Sequence, residues 1–130
     1  TGVMKRIMFS LSLSVLLIIT GGAEADTMER GTVQIEYERG LKSAALEILG
    51  YMPSIMERIE KRTGLPAEIP VEIVTYRRRS DFVRSAGTDL IAAYAVPRRK
   101  LIVLDLSRMS VHPLNLRMII AHEMAHIVLH

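Results

Sequence analysis

Apolar side chains recur at helical spacing from residue 41 to residue 62, and short runs rich in β-branched residues lie before and after this stretch. The spacing predicts a helix or a helix pair that stops at Gly64 and Pro66. Pro53 is expected to kink or divide the helix near Gly50, because proline lacks an amide hydrogen and clashes with the preceding turn. A long amphipathic helix between strand-like runs favours a fold in which helices pack on a sheet.

The strand-like runs predict two single strands and one hairpin. β-prone residues indicate strands at residues 33–37 and 71–76. Two further apolar runs, at residues 91–96 and 101–106, are separated only by the polar connection at residues 97–100. Such a short polar connection predicts that the two runs form an antiparallel hairpin.

Two shorter helices complete the predicted order. One covers residues 81–85, with Ser80 as its N-cap and Gly87 as its stop signal. The other begins near Pro113, which suits the first turn of a helix, and continues to the end of the chain. The order of strand, long helix, strand, short helix, hairpin and helix predicts an α+β fold, a two-layer domain of a mixed β-sheet with packed helices.

The N-terminal segment differs in composition from the rest of the chain. After a positively charged start, residues 7–19 form an apolar run, and the small residues Ala23 and Ala25 fit a cleavage site. The run of about 13 residues is shorter than the roughly 20 that span a bilayer, which favours a cleaved signal peptide over an anchor. We therefore expect a signal peptide at 1–25, a mature domain at 26–130, export to the periplasm, envelope or exterior, and no stable membrane span after cleavage.

Composition narrows the classes of partner and site. Apolar residues make up 49% of the 130 residues, which is enough for a sizeable core, and the lack of cysteine excludes disulfides and thiolate metal ligands. The formal charge of +3 is mild, and basic residues cluster only at Arg77–Arg79 and Arg98–Lys100, which we interpret as solvated loop arginines. No nucleic-acid partner is expected, and the pattern leaves the oligomeric state undetermined.

The last helix carries the motif HEMAH at residues 122–126. His122 and His126 are separated by about 40° of rotation and 6 Å of rise on a helix, so both imidazoles can reach one Zn²⁺ ion. Glu123 lies about 100° around from His122, too far to complete the chelate but well placed to accept a proton from a water on the metal. The pattern therefore predicts two zinc ligands and a general base.

A buried structural pair is the alternative to a metal site. The helix is apolar nearly all round, which predicts burial, and a lone buried histidine usually has a hydrogen-bond partner. Three unpaired ionisable groups in one buried turn would cost several kcal/mol, and a metal would satisfy them together, so we favour zinc. His130 lies too far along the helix from His122 to be a third ligand, and His112 is expected to be a capping or turn residue.

The stretch HEMAHIVLH, with AAYAVPRRKLIVLDLS upstream of it, resembles the zincin metallopeptidases, and more closely their gluzincin, peptidase MA-like group. The resemblance covers about residues 33–130, and only the HExxH motif is sharply specific. It implies a zincin-like N-terminal subdomain in which His122 and His126 are zinc ligands and Glu123 is the catalytic base. It also implies a third ligand, typically a glutamate on a later helix, beyond residue 130. Metzincins fit less well, because their longer motif has glycine where Leu129 stands.

The resemblance also gives the hairpin a role. Zincins hold an extended peptide along a sheet-edge strand beside the active-site helix, and strand addition supplies main-chain hydrogen bonds that do not depend on sequence. The candidate substrate contacts are Ala92, Ala93, Tyr94, Ala95 and Val96. An ordinary core hairpin is the alternative for this segment.

These features support three functional hypotheses. The first is an exported zinc-dependent metallopeptidase acting on a peptide or protein, of which this chain is the N-terminal part of the catalytic domain. The alternatives are a non-catalytic zincin-like envelope or scaffold module, and a metallohydrolase of a non-peptide amide. Because no helix-stop signal precedes His130, we interpret the chain as a fragment that lacks a third ligand, binds zinc weakly and has no activity alone.

Overall fold

The computed structural model describes residues 25–109 and 115–130, so the predicted signal segment up to residue 24, His112 and Pro113 lie outside the described residues. The described chain has three α-helices: α1 (Lys42–Thr63), α2 (Arg79–Ala86) and α3 (Leu116–Leu129). Its strands are β1 (Ala25–Arg30), β2 (Val33–Glu38), β3 (Val71–Tyr76), β4 (Ala93–Val96) and β5 (Leu101–Asp105). None of the described helices is long and apolar enough to cross a bilayer.

The five strands form one mixed sheet in the order β1-β2-β3-β5-β4. The three central strands, β2, β3 and β5, run parallel, and the edge strands β1 and β4 pair antiparallel with their neighbours. The fold is therefore α+β with a mixed sheet and packed helices, which confirms the predicted class. The predicted hairpin is β4 and β5, joined by a 3₁₀ turn at Pro97–Arg99 and by Lys100 in the left-handed region.

β1 is an addition to the predicted order. It pairs with β2 along its whole length, from Ala25 opposite Glu38 to Arg30 opposite Val33. Met28 is its one side chain that packs against the main core, and most of its other residues are exposed. The strand is held by backbone pairing more than by side-chain burial, so it lacks the apolar alternation by which strands are recognised in a sequence.

α1 is one continuous helix, so the division expected near Gly50 is wrong. Pro53 lies on its exposed side, while buried side chains from Ile48 to Ile59 continue along the opposite face on both sides of the proline. Packing of this face on the sheet outweighs the helical bond that proline cannot make. The predicted stop is confirmed, because Gly64 adopts a left-handed conformation at φ 72° and donates its N–H to the Glu60 carbonyl.

The helices lie on both faces of the sheet, so the expectation of two layers is incomplete. α1 and α3 contribute to the main core on one face, whereas α2 inserts Phe82 into a smaller cluster with Val74, Leu101 and Val103 on the other. α2 also begins earlier than predicted, with Arg78 at the N-cap position and no side-chain cap, so Ser80 is inside the helix. Burial of Phe82 stabilises this helix, which has no side-chain cap, and Gly87 ends it as predicted.

Glu36 of β2 is a buried carboxylate on the sheet face opposite α1, because its neighbours Ile35 and Tyr37 point into the main core. Glu36 is 2% exposed, and neither of its carboxylate oxygens has a hydrogen-bond partner. Burial, reinforced by the charge of Glu72 on β3, raises the pKa of Glu36 to about 7. The folded chain therefore holds a proton that the unfolded chain has released above its ordinary pKa of 4.5.

This proton makes stability depend on pH with a definite sign. The contribution of Glu36 is fully present below about pH 4.5 and is lost as the pH rises through about 7, because the fold then has to bury a charge. For Glu36→Gln, we expect the free energy of unfolding to rise by about 2 kcal/mol relative to the parent protein on going from pH 5 to pH 8, measured by urea denaturation. Glu38→Gln, on the same strand and face but half-buried, is the control; parallel pH curves for parent and Glu36→Gln would contradict the prediction.

Candidate metal centre

α3 is positioned by a cap at its start and by an apolar face along its length. The side chain of Asn115 accepts a hydrogen bond from the Met118 amide at 3.1 Å, which caps the first turn. Ile120, Met124 and Ile127 are at most 1% exposed and lie in the main core. The helix packs against α1, β4, β5 and the turn at 97–99, so its rotation about its own axis is fixed.

The face of α3 that carries the histidines points outward. His122 and His126 are exposed, and Met118 and Leu129 on the same side are 71% and 56% exposed. The expectation that the helix is buried all round is therefore wrong for the described chain, because no described element covers this face. Because the histidines are exposed, the cost of burying them unpaired gives no support to a metal site. The support for such a site is the geometry of the histidine pair.

The two imidazoles converge on one point. Nε2 of His122 and Nε2 of His126 lie 3.1 Å apart, and the ring planes meet at 83°. Two nitrogen ligands of a tetrahedral zinc ion, each about 2.05 Å from the metal, are separated by about 3.3 Å. The observed spacing fits such an ion, and it equally fits a hydrogen bond between one protonated and one unprotonated nitrogen.

Glu123 is the buried member of the motif, at 8% exposure. Burial raises the pKa of its carboxyl group, and the neighbouring His122 and His126 partly offset that rise. Its carboxylate forms no hydrogen bond to another described residue, so its oxygens are not committed to a structural role. A carboxylate that is partly desolvated and next to two imidazoles has the environment of a proton acceptor.

The described residues offer no third ligand. No group of three histidine, cysteine or acidic side chains among them could hold a metal ion. The His130 ring is stacked on that of His126 with centroids 6.1 Å apart, and its amide closes the last turn by bonding to the His126 carbonyl. His112 lies outside the described residues, so its predicted role as a capping or turn residue stays a prediction.

The structure places the candidate substrate strand beside the helix that carries the motif. β4 is an edge strand that packs against α3, and among the described strands it pairs with β5 alone. Of the five candidate residues, Ala93–Val96 form the strand, and Ala92 precedes it with its carbonyl accepting the Asp105 amide. Ala93 and Ala95 point toward the main core, while Tyr94 packs against Phe82 on the other face. The outer backbone edge of β4 is therefore next to the HEMAH helix.

An ion pair that the sequence analysis did not predict holds the loop before this edge strand. Arg79 of α2 donates to Asp105 Oδ2 at 2.9 Å and to the carbonyls of Asp89 and Ile91 in the loop before β4. Asp105 is fully buried, and its other oxygen accepts from the amide and hydroxyl of Ser107. The interpretation of Arg77–Arg79 as solvated loop arginines is therefore wrong for Arg79, whose side chain is only 24% exposed. The one feature of the sequence that could have indicated this pair is the aspartate that follows the apolar run at residues 101–104.

Removing Arg79 should both destabilise the fold and loosen the strand. Arg79→Ala leaves the Asp105 carboxylate buried without its cation, so the free energy of unfolding should fall by about 3 kcal/mol. Hydrogen exchange of the amides from residue 89 to residue 93 should accelerate as the loop is released. Arg84→Ala on the same helix breaks only an exposed pair with Asp81 and should change stability by less than about 1 kcal/mol. Equal effects of the two substitutions would show that the buried pair does not hold the loop.

Comparisons of the chain with protein-family models, with curated proteins and with solved structures found no match. The function of the chain is therefore inferred from its own residues and their arrangement. Two exposed histidines with converging nitrogens, a buried glutamate between them and an edge strand alongside are the features that a functional assignment has to explain.

Proposed function

We propose that the chain is the metal-binding part of an exported zinc-dependent peptidase, with His122 and His126 as ligands and Glu123 as general base. The observation that carries the proposal is the convergence of the two imidazole nitrogens, 3.1 Å apart, on the exposed face of a helix whose opposite face is locked in the core. The sequence features of a signal peptide at 1–25 support export.

The residues of the motif divide the chemistry between them. His122 and His126 would hold the ion through their imidazole nitrogens, and such ligands would leave its positive charge largely uncancelled. Zinc bound there would supply a Lewis acid that polarises a carbonyl and acidifies water. Glu123 would accept the proton of the attacking water and deliver it to the leaving amine; burial raises the pKa of its carboxyl group, which makes it a stronger proton acceptor.

β4 supports a peptide as the substrate. An extended chain lying along its free edge would gain main-chain hydrogen bonds without any requirement on side chains. The strand packs on the same helix that carries the histidines, so a peptide on its edge would lie beside that helix. A non-peptide amide could not form a ladder of main-chain hydrogen bonds with such an edge, so the alternative of a metallohydrolase of a non-peptide amide is less favoured.

A non-catalytic scaffold is the second candidate, and one observation favours it. The described residues provide two metal-ligating side chains and no third, whereas catalytic zinc sites use three protein ligands. In a scaffold the His122–His126 contact would be a hydrogen bond on the surface, and Glu123 would have no proton to transfer. Turnover separates the two functions, because a scaffold, with or without metal, needs none; a chain that binds no zinc would also favour the scaffold.

Zinc binding is the first test. In isothermal titration, the chain should bind one zinc ion weakly, and His126→Ala should reduce the affinity at least tenfold, because one nitrogen cannot replace the pair. His130→Ala is the matched control, since it removes an exposed histidine from the same helix without touching the His122 contact. Equal losses in both variants, or no binding in the parent chain, would argue for the scaffold.

Turnover is the second test, made on the natural protein. Glu123→Gln keeps the size of the side chain and removes the proton acceptor, so hydrolysis of an unstructured protein substrate should fall at least 100-fold while zinc content is unchanged. Glu57→Gln on the exposed side of α1 is the control for a surface glutamate. Full activity in Glu123→Gln would remove Glu123 from the reaction.

A further inference from the structure

A cavity of about 390 Å³ lies at the end of the sheet where the parallel strands begin, between the β1–β2 turn and the β4–β5 connection. None of the HEMAH residues lines it. Its charged and amide side chains come from two sources, the strands of the sheet and the connection at residues 98–100: Glu29, Gln34, Glu72, Arg98, Arg99 and Lys100. The size is in the range of cavities that hold small molecules.

The floor of the cavity is a row of acidic and amide side chains. Glu29 is paired with Gln34 in the sheet register, and Gln34 is paired with Glu72, so the three lie side by side on one face. Glu72 is 8% exposed and forms no hydrogen bond or ion pair with another described residue. The Thr32 hydroxyl, also in the lining, is buried without a hydrogen-bond partner.

A second buried carboxyl group without a hydrogen bond lies next to this row. Glu36 is two residues further along β2 on the same face as Gln34, and the charge of Glu72 on the adjacent strand adds to the effect of burial in raising the pKa of Glu36. Both oxygens of Glu36 lack a partner. Ionising two buried carboxyl groups that accept no hydrogen bond is costly, and a cation bound beside them would relieve that cost.

The rim of the cavity has the opposite charge. Arg98, Arg99 and Lys100 are exposed, and none of them makes an ion pair within the part of the chain that the structure describes. Arg99 is near enough to Glu72 to lower the pKa of that carboxyl group against the larger effect of burial, which raises it. The cavity thus presents negative charge at its floor and positive charge at its mouth, an arrangement that selects against simple cations and simple anions alike.

We propose that this cavity binds a small zwitterion with the charges of a free amino acid or dipeptide. Its ammonium group would lie against Glu72 and Glu29, and its carboxylate would meet the guanidinium groups of Arg98 and Arg99 at the mouth. The Gln34 amide offers further hydrogen bonds to the backbone of such a ligand. The site is separate from the HEMAH histidines and stands whether or not they bind zinc.

The test is to titrate the chain with the dipeptide Ala-Ala and with two derivatives of it, and to measure binding from NMR chemical shifts. Ala-Ala should bind, while its N-acetyl form, without the ammonium, and its C-terminal amide, without the carboxylate, should each bind at least tenfold more weakly. Equal binding of all three, no binding of Ala-Ala at 20 mM, or displacement of Ala-Ala by equimolar Mg²⁺ would each overturn the proposal.

Substitutions locate the site. Glu72→Gln and, independently, Arg99→Ala should weaken Ala-Ala binding at least tenfold; Arg99 is exposed, so its variant tests the site even where Glu72→Gln does not fold. Glu38→Gln, on the same sheet face but outside the lining, and His126→Ala should leave Ala-Ala binding unchanged. Unchanged binding in Arg99→Ala, or a loss in His126→Ala as large as that in Arg99→Ala, would contradict the assignment.

Discussion

The packing of α1 and α3 side by side on one face of the sheet is the constraint on which the rest of the structure depends. Ile120, Met124 and Ile127 are almost completely buried against that face. Since each residue turns a helix by about 100°, burying these three directs His122 and His126 away from the sheet and leaves Glu123 at the boundary. The same core residues that stabilise the fold therefore determine the orientation of the motif. A link from Arg117 of α3 to Ser54 of α1, at 2.8 Å, adds a polar contact between the two helices.

The buried carboxyl groups on the α2 face of the sheet differ in whether hydrogen-bond donors and a cation compensate them. On the α2 side, Asp105 is compensated by Arg79 and Ser107, and the result is a rigid connection between α2, β5 and the loop before β4. Further along the same face, Glu36 and Glu72 have no such partners. A buried carboxylate with a cation and several donors stabilises local structure, whereas one without them carries a free-energy cost that persists only where the surroundings hold it or a ligand relieves it.

Periodicity predicted those elements whose side chains are buried in a regular pattern. α1, β2, β3 and the β4–β5 hairpin are of this kind, and glycine stops at Gly64 and Gly87 marked two helix ends correctly. β1 escaped prediction because backbone pairing holds it, and the continuity of α1 through Pro53 reflects tertiary packing that a local rule does not contain. The spacing of HEMAH gave the convergence of its imidazoles, but not their exposure, which depends on what lies over the helix. The Arg79–Asp105 pair joins residues 26 positions apart and has no local signature.

The shortness of β4 has a consequence for the lifetime of anything that pairs with it. Only every second residue of an edge strand directs its N–H and C=O outward, so the four residues of β4 offer about four bonds to a passing chain. Each bond contributes roughly 1 kcal/mol net in water. The sum of these bonds does not exceed the entropic cost of fixing the partner. A segment docked on this edge alone would dissociate quickly, so residence must be set by contacts elsewhere. The same brevity protects the free edge from pairing with the sheets of other molecules.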